Sequence, residues 1–167
     1  EVAGRVEEAG GRAFSHVLDV SDEGSIDAFY SAAERALGPV DVLVNNAGMS
    51  PLYPDLPSVT EELYDKVHAV NARGPFRLSV LFGTRMAAGD GGSIVNVSTG
   101  GSLRPDVHDL PYAMAKAGLN ALTLALAGAW APKVRANVVL PGAFDTDIAQ
   151  AWTPEAREMA ARLNPMK

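Results

Sequence analysis

Along the chain, short continuous apolar runs alternate with longer stretches whose apolar residues recur at helical spacing. That alternation is the pattern of an α/β domain built around a parallel sheet. Glu1–Ala9 has the spacing of a polar surface helix and is closed by Gly10-Gly11. Ala13–Val20 reads as a strand. Ser21-Asp22-Glu23-Gly24 then supplies capping residues for a helix that runs to about Leu37 and stops at Gly38-Pro39. Val40–Val44 is a short apolar run, typical of a strand buried on both faces, and it leads into Asn45-Asn46-Ala47-Gly48. A long helix is expected from Thr60 to about Ala88, a strand at Ser93–Val97 and a polar loop at Ser98–Pro111. Tyr112–Trp130 reads as a helix apolar almost all round, Val134–Leu140 as a fourth strand, and the tail from Thr153-Pro154-Glu155 as helical. There is no internal repeat, low-complexity segment or linker, so residues 1–167 read as a single domain.

Composition narrows the function classes. The hydrophobic fraction of 47% suffices for a sizeable core, and the net charge of −6 is dispersed rather than blocked into runs. That distribution offers neither a basic footprint for nucleic acid nor a polybasic patch for an anionic membrane. The longest apolar stretch, around Ala117–Ala131, is interrupted by Gly118, Asn120, Thr123 and Gly128, and reads as a buried helix rather than a membrane span. The chain has no cysteine, which excludes disulfide scaffolds, thiolate metal sites and a cysteine nucleophile. Its three histidines, His16, His68 and His108, have no metal-ligand spacing, so no metal site is expected. A cytoplasmic protein is the expectation.

Tyr112 and Lys116 stand four residues apart near the start of a helix and therefore share a face. A free tyrosine is a poor base at neutral pH, since its phenol titrates near 10; an ammonium close by favours the phenolate. Such a pair could exchange a proton with an alcohol or a carbonyl. Asn45-Asn46-Ala47-Gly48 follows a strand directly, and its small residues would let a ligand pass close to the strand's carboxyl end. Ser98 and Thr99 end another strand, fourteen and thirteen residues before Tyr112, where a hydroxyl could bond a substrate oxygen. Pro141-Gly142-Ala143-Phe144-Asp145-Thr146 follows the last strand. Taken singly, each feature also reads as ordinary turn or surface chemistry.

Together, in this order and at these spacings, they resemble the short-chain dehydrogenase/reductase family in its ordinary, non-extended branch. The resemblance covers essentially all 167 residues. It implies a Rossmann-type, doubly wound parallel sheet and an oxidoreductase that uses NAD or NADP on a small secondary alcohol or ketone. By the same resemblance Tyr112 is the general acid/base. Lys116 lowers its pKa and holds the nicotinamide ribose, and Asn71 is the active-site asparagine. Asp19 and Val20 match the acidic-apolar pair near the adenine. Asn45, Ala47 and Gly48 line the adenosine ribose side, while Pro141, Gly142 and Thr146 hold the nicotinamide end. A homo-oligomer, tetramer or dimer, is implied as well, and the apolar Tyr112–Trp130 helix agrees with one.

Two departures qualify the likeness. The family's carbonyl-polarising serine corresponds in position to Thr99, which keeps the hydroxyl but adds a methyl; Ser98 is the alternate. The family's glycine-rich pyrophosphate loop matches no segment, because Gly10-Gly11 precedes the wrong strand. The strands on either side of that loop and the family's last strand are likewise outside these residues. In the doubly wound order, Ala13–Val20 and Val40–Val44 would then be separated by a gap of two strands, and a longer working protein is expected. One further feature is local: Pro75, four residues after Asn71, has no N–H for the Asn71 carbonyl, which could anchor a water leading to Lys116. The charged loop residues Arg104, Asp106, His108 and Asp109 read as solvated surface, with substrate contact as the alternative. Two rival readings remain: a non-catalytic binding or regulatory protein on the same fold, and a fragment inactive by itself.

Overall fold

The computed structural model describes residues 1–142 and 153–163. Its elements, in order, are α1 (Val2–Glu8), α2 (Glu23–Leu37), β1 (Val42–Asn45), α3 (Glu61–His68), α4 (Gly74–Ala88), β2 (Gly92–Val97), α5 (Leu110–Trp130), β3 (Val134–Val139) and α6 (Pro154–Leu163). The three strands form one parallel sheet in the order β1-β2-β3, with Asn45 opposite Asn96 and Val97 opposite Val139. All three carboxyl ends therefore lie along one side of the sheet. The helix starts follow the sequence: Asp22 caps α2 by accepting from the Ser25 amide at 2.6 Å, and Thr60 caps α3 by accepting from Leu63 at 3.1 Å.

The core forms where α2, α4 and α5 cover the sheet face carrying Leu43, Ile94 and Val134. Ile26, Leu78, Phe82, Met86 and Leu126 are the helical residues buried there. Burial of this apolar surface is the main force holding the helices to the sheet. The opposite face carries Val42, Val44 and Val139, each half exposed or more. Among the described residues β1 is thus buried on one face only, where its apolar run suggested both, because the described helices pack on the Leu43 side.

Ala13–Val20 forms no strand. A strand exists by pairing, and among the described residues no backbone lies beside this segment to complete a ladder. Side chains secure its end instead. Ser21 donates to Asp19 Oδ1 from both its amide (2.8 Å) and its hydroxyl (2.6 Å). Lys66 Nζ reaches Ser21 Oγ at 3.0 Å, and Arg73 reaches the Ser21 carbonyl at 3.2 Å.

The long helix expected from Thr60 to Ala88 is in fact two helices joined by a π turn at Ala69–Arg73. Pro75 cannot donate to the Asn71 carbonyl in α-helical register, and the chain absorbs the break as one widened turn, with the Gly74 amide on the Ala69 carbonyl. That turn sinks Ala69, Val70 and Asn71 into the interior. Gly74, at the junction, has the Val20 carbonyl lying against it: a β-carbon there would sit 2.2 Å from that oxygen. Gly74→Ala must therefore displace the 18–20 segment or the start of α4. We expect a loss of about 1–3 kcal/mol, read as a lowered Tm of the full-length protein; an unchanged Tm would show that the segment is not held against α4.

Candidate active site

The strand ends are tied to one another before any catalytic side chain is considered. Ser98 donates its amide to the Val139 carbonyl at 2.8 Å, and Gly100 donates to the Pro141 carbonyl at 3.3 Å. The Ser98–Ser102 turn thereby sits beside Pro141-Gly142. Beneath it runs a buried polar chain. Asn45 Nδ2 donates to Asn96 Oδ1 (2.8 Å) and to Ser79 Oγ (3.0 Å). Asn96 Nδ2 donates to Thr123 Oγ1 (2.8 Å), whose hydroxyl donates to the Leu119 carbonyl. These bonds lock β1, β2, α4 and α5 in register, since each group would be costly to bury unpaired.

Strand alternation turns the Asn45 side chain into the helix-covered face, where it is 5% exposed, so only its backbone is left at the strand's carboxyl end. Ala47 and Gly48, one and two residues beyond Asn46, are exposed at the strand's carboxyl end.

Gly48 is where the site converges. A β-carbon there would stand 2.9 Å from Asn71 Oδ1 and 3.5 Å from Lys116 Nζ. Glycine is thus required for the loop to pass between these two side chains. The Asn71 amide is completely engaged: Nδ2 donates to the Met49 carbonyl (2.8 Å) and the Val67 carbonyl (2.9 Å), and Oδ1 accepts from the Met49 amide (3.2 Å). Lys116, 3% exposed, donates from Nζ to the Val97 carbonyl at 2.7 Å. Burial pushes this ammonium down from 10.5 to about 8.

Tyr112 lies one turn earlier on α5, its ring centroid 5.7 Å from Lys116 Nζ. Its phenol is pushed above the usual value, first by burial and then by the charge of Asp109. The expected lowering by Lys116 is not what governs the phenol here. Desolvation and the Asp109 charge govern it, while the ammonium donates to Val97.

The two candidate hydroxyls have separate surroundings. Ser98 Oγ is buried against α5, 3.3 Å from the Lys116 carbonyl and 3.4 Å from Ser102 Oγ. Thr99 is half-buried, and its Oγ1 accepts from the Gly101 amide at 3.2 Å. The Thr99 carbonyl accepts from Ser102 Oγ at 2.6 Å, and Asn120 Nδ2 in turn donates to Ser102 at 2.8 Å. This Ser102–Asn120 pair pins the turn to α5 and was not singled out in the sequence, where neither residue belongs to a motif.

Asp19 is exposed, and its carboxyl is held below the usual range by the Ser21 hydroxyl and amide. Val20 is half-buried over Gly74. Pro141 and Gly142 stand beside the Thr99 turn; Thr146 lies outside the described residues.

One further group frames the site. Tyr53 donates its hydroxyl to the Val107 carbonyl (2.6 Å) and accepts from the Leu110 amide (2.8 Å), capping the first turn of α5 from a distant loop. With Pro51, Leu63, Val67, Asp109, Pro111 and Tyr112 it borders a shallow apolar depression too small to enclose a water. Only a contact across more than fifty residues makes Tyr53 part of this site. No group of three or more candidate metal ligands occurs among the described residues. No helix among them is long and apolar enough to cross a membrane.

This arrangement has counterparts in known proteins. A putative short-chain alcohol dehydrogenase from Sinorhizobium meliloti superposes with a TM-score of 0.87 at 34% identity, covering 96% of this chain and 63% of that one. An angucycline C-6 ketoreductase, LanV, solved with bound NADP, gives a TM-score of 0.87 at 30% identity, with 99% of this chain and 66% of that one covered. Among curated sequences, 3beta-hydroxysteroid dehydrogenase 1 of Eggerthella lenta is 37% identical over 175 aligned positions, covering 99% of this chain and 65% of the relative. A putative ketoacyl reductase of the granaticin polyketide synthase from Streptomyces violaceoruber is 36% identical over 137 residues, covering 81% of this chain and 53% of the relative. The chain thus spans between about half and two thirds of the length of these curated relatives. The family model described as short chain dehydrogenase matches residues 1–157. With its parallel sheet and the Tyr112, Lys116 and Asn71 constellation at the strand ends, the chain belongs to the short-chain dehydrogenase family, on a Rossmann-type α/β fold.

Proposed function

We propose that the whole protein transfers a hydride between NAD or NADP and a secondary alcohol or ketone, with Tyr112 exchanging the proton of the substrate oxygen. The observation that carries this reading is the convergence of Gly48, Asn71 and Lys116 within contact distance, one helical turn from Tyr112. The residues present suit the nicotinamide end of such a cofactor. Gly48 leaves the backbone bare where a sugar ring would pass, Lys116 offers N–H donors, and Pro141-Gly142 borders the same space. Asp19 and Val20 are proposed for the adenine edge and Thr146 for the nicotinamide end, with the pyrophosphate held by chain outside these residues. The bound cofactor would supply or accept the hydride; the protein supplies position and charge.

Thr99 is proposed as the hydroxyl that polarises the substrate oxygen. It is the half-exposed one of the pair, whereas the Ser98 hydroxyl is occupied against α5. The Asn71 carbonyl, denied a helical donor by Pro75, is proposed to anchor a water between α4 and Lys116, where the π turn widens the helix. A homo-oligomer accords with the exposed apolar residues of α4 and α5, Phe76, Met114 and Leu124. A cytoplasmic location, where nicotinamide cofactors turn over, completes the reading. The NADP-bound ketoreductase among the structural relatives favours a ketone as substrate.

In the full-length protein, consumption of NADH or NADPH with a ketone panel tests the assignment. Tyr112→Phe is expected to lower kcat by about a hundredfold or more. Thr99→Val is expected to cost about a hundredfold in kcat, while Ser98→Ala stays within about threefold. Turnover that survives Tyr112→Phe would remove the phenol from the chemistry. Loss with Ser98→Ala but not Thr99→Val would exchange their roles.

Lys116 also makes a thermodynamic prediction. Displacement of its pKa from 10.5 to about 8 corresponds to on the order of 3 kcal/mol held against the charged form in the fold. Below pH 8 both folded and unfolded states carry the proton, so this contribution is constant. Between about 8 and 10.5 the folded state sheds the proton first, and folding becomes more favourable as pH rises. Denaturant unfolding should therefore show wild-type stability rising across that window relative to Lys116→Met. Parallel curves would mean that the ammonium is not strained by burial.

A further inference from the structure

Helix α5 carries Tyr112 in its first turn, and that turn begins on a borrowed group. A helix start leaves amide donors without partners, and the residue before the helix commonly supplies a side-chain acceptor. Asp109 occupies that place and makes no capping bond. Its carboxyl instead accepts from the Asp106 amide at 3.3 Å, and Pro111 has no amide to cap. The Leu110 amide is met by the Tyr53 hydroxyl at 2.8 Å. The same hydroxyl donates its proton to the Val107 carbonyl at 2.6 Å. One hydroxyl thus closes the 107–110 turn as donor and acceptor at once, two residues before Tyr112.

Tyr53 is itself on a held segment. Its loop leaves β1 through Gly48 and is gripped at Met49, where Asn71 takes both the amide and the carbonyl. Four residues on, the Tyr53 ring borders the same apolar depression as Pro51, Leu63 and Pro111. Residues 48–53 therefore meet α5 at two places. Lys116 lies against Gly48, and Leu110 hangs on Tyr53. Tyr112 stands between these two points on the helix.

We infer that Tyr53 is a positioning residue for Tyr112: its hydroxyl fixes the turn from which the phenol reaches the reacting oxygen. The inference rests on the proposed proton-transfer role of Tyr112. Loss of the hydroxyl leaves the Leu110 amide and the Val107 carbonyl without their partner and frees the first turn to fray. Lys116, a turn further in, keeps its bond to Val97. The cost therefore falls on proton transfer, where displacing a reacting group by about 1 Å can slow a reaction by about a hundredfold.

The experiment compares full-length wild type, Tyr53→Phe and Ile26→Val, with the ketone that wild type reduces fastest. Phenylalanine keeps the ring and removes only the hydroxyl. Ile26→Val trims the core from α2, which packs on α4, and serves as a control of lowered stability. Tyr53→Phe is expected to lower kcat about tenfold, with the cofactor KM within about twofold of wild type. Ile26→Val keeps kcat within about twofold. An unchanged kcat in Tyr53→Phe, a loss seen only in cofactor KM, or an equal loss of kcat in Ile26→Val overturns the inference. Amide hydrogen exchange supplies a second readout: in Tyr53→Phe residues 110–114 should exchange about tenfold faster, with the rest of α5 unchanged. Exchange equal to wild type there also overturns it. If wild type reduces no ketone, the oxidoreductase reading fails separately, and exchange at 110–114 alone decides whether Tyr53 holds the turn that carries Tyr112.

Discussion

The side-chain amide of Asn71 joins two parts of the chain that the sheet alone would leave apart. On one side it grips Val67 at the end of α3; on the other it takes both the amide and the carbonyl of Met49, beyond the end of β1. The loop so captured must pass within contact of Lys116, and only a residue without a side chain fits at Gly48. The position of Asn71 in turn depends on Pro75, whose missing N–H breaks the helix and lets the π turn carry the amide inward. A covalent peculiarity of one residue thus fixes the mouth of the site four residues away. The interior polar chain from Asn45 through Asn96 to Thr123 does the corresponding work below, holding β1 and β2 to α5 so that Tyr112 and Thr99 come from elements that cannot slide.

What could be read in the sequence divides along the range of the interactions. The Tyr112–Lys116 pair was legible because both residues sit on one helix, where spacing alone decides that they share a face. Gly48 was legible as a place of close approach, though what approaches it was not. Asn45 belonged to the same short motif, but the interior course of its side chain was not legible, because a strand end does not announce which face its last side chain takes until its partners are known. Ala13–Val20 has the composition of a strand and forms none, since pairing is a property of two segments and only one is among the described residues. The continuous helical periodicity of residues 60–88 concealed the π turn, which shifts register by a single residue. Tyr53 and the Ser102–Asn120 pair escaped notice for the plainest reason: their partners lie far away along the chain, or in a loop without periodicity.

Ser98 and Thr99, adjacent in the sequence, have different surroundings in the fold, and the proposed role of Thr99 rests on that difference. Adjacent residues at a strand end point to opposite sides, so one hydroxyl enters the interior and the other stays half-exposed in the turn, accepting from the Gly101 amide. The interior place is taken by Ser98 against the Lys116 carbonyl. The Thr99 methyl limits rotation about its side-chain bond, while the Ser102 hydroxyl and Asn120 amide hold the turn beneath it. A threonine so restrained loses little freedom on meeting a substrate oxygen.

The electrostatics of the pair run opposite to a simple expectation of an ammonium activating a phenol. Burial acts on both groups and disfavours whichever form is charged: it raises the phenol of Tyr112 and lowers the ammonium of Lys116 to about 8. At neutral pH the phenol therefore keeps its proton, and Asp109 reinforces this by adding a negative charge nearby. A protonated phenol is a donor, the state needed when a carbonyl oxygen becomes a hydroxyl. The reverse direction needs the phenolate, whose charge the same burial disfavours. In the proposed reaction the phenol thus rests as a hydrogen-bond donor at neutral pH, held protonated by desolvation, the same burial that holds α5 against the sheet.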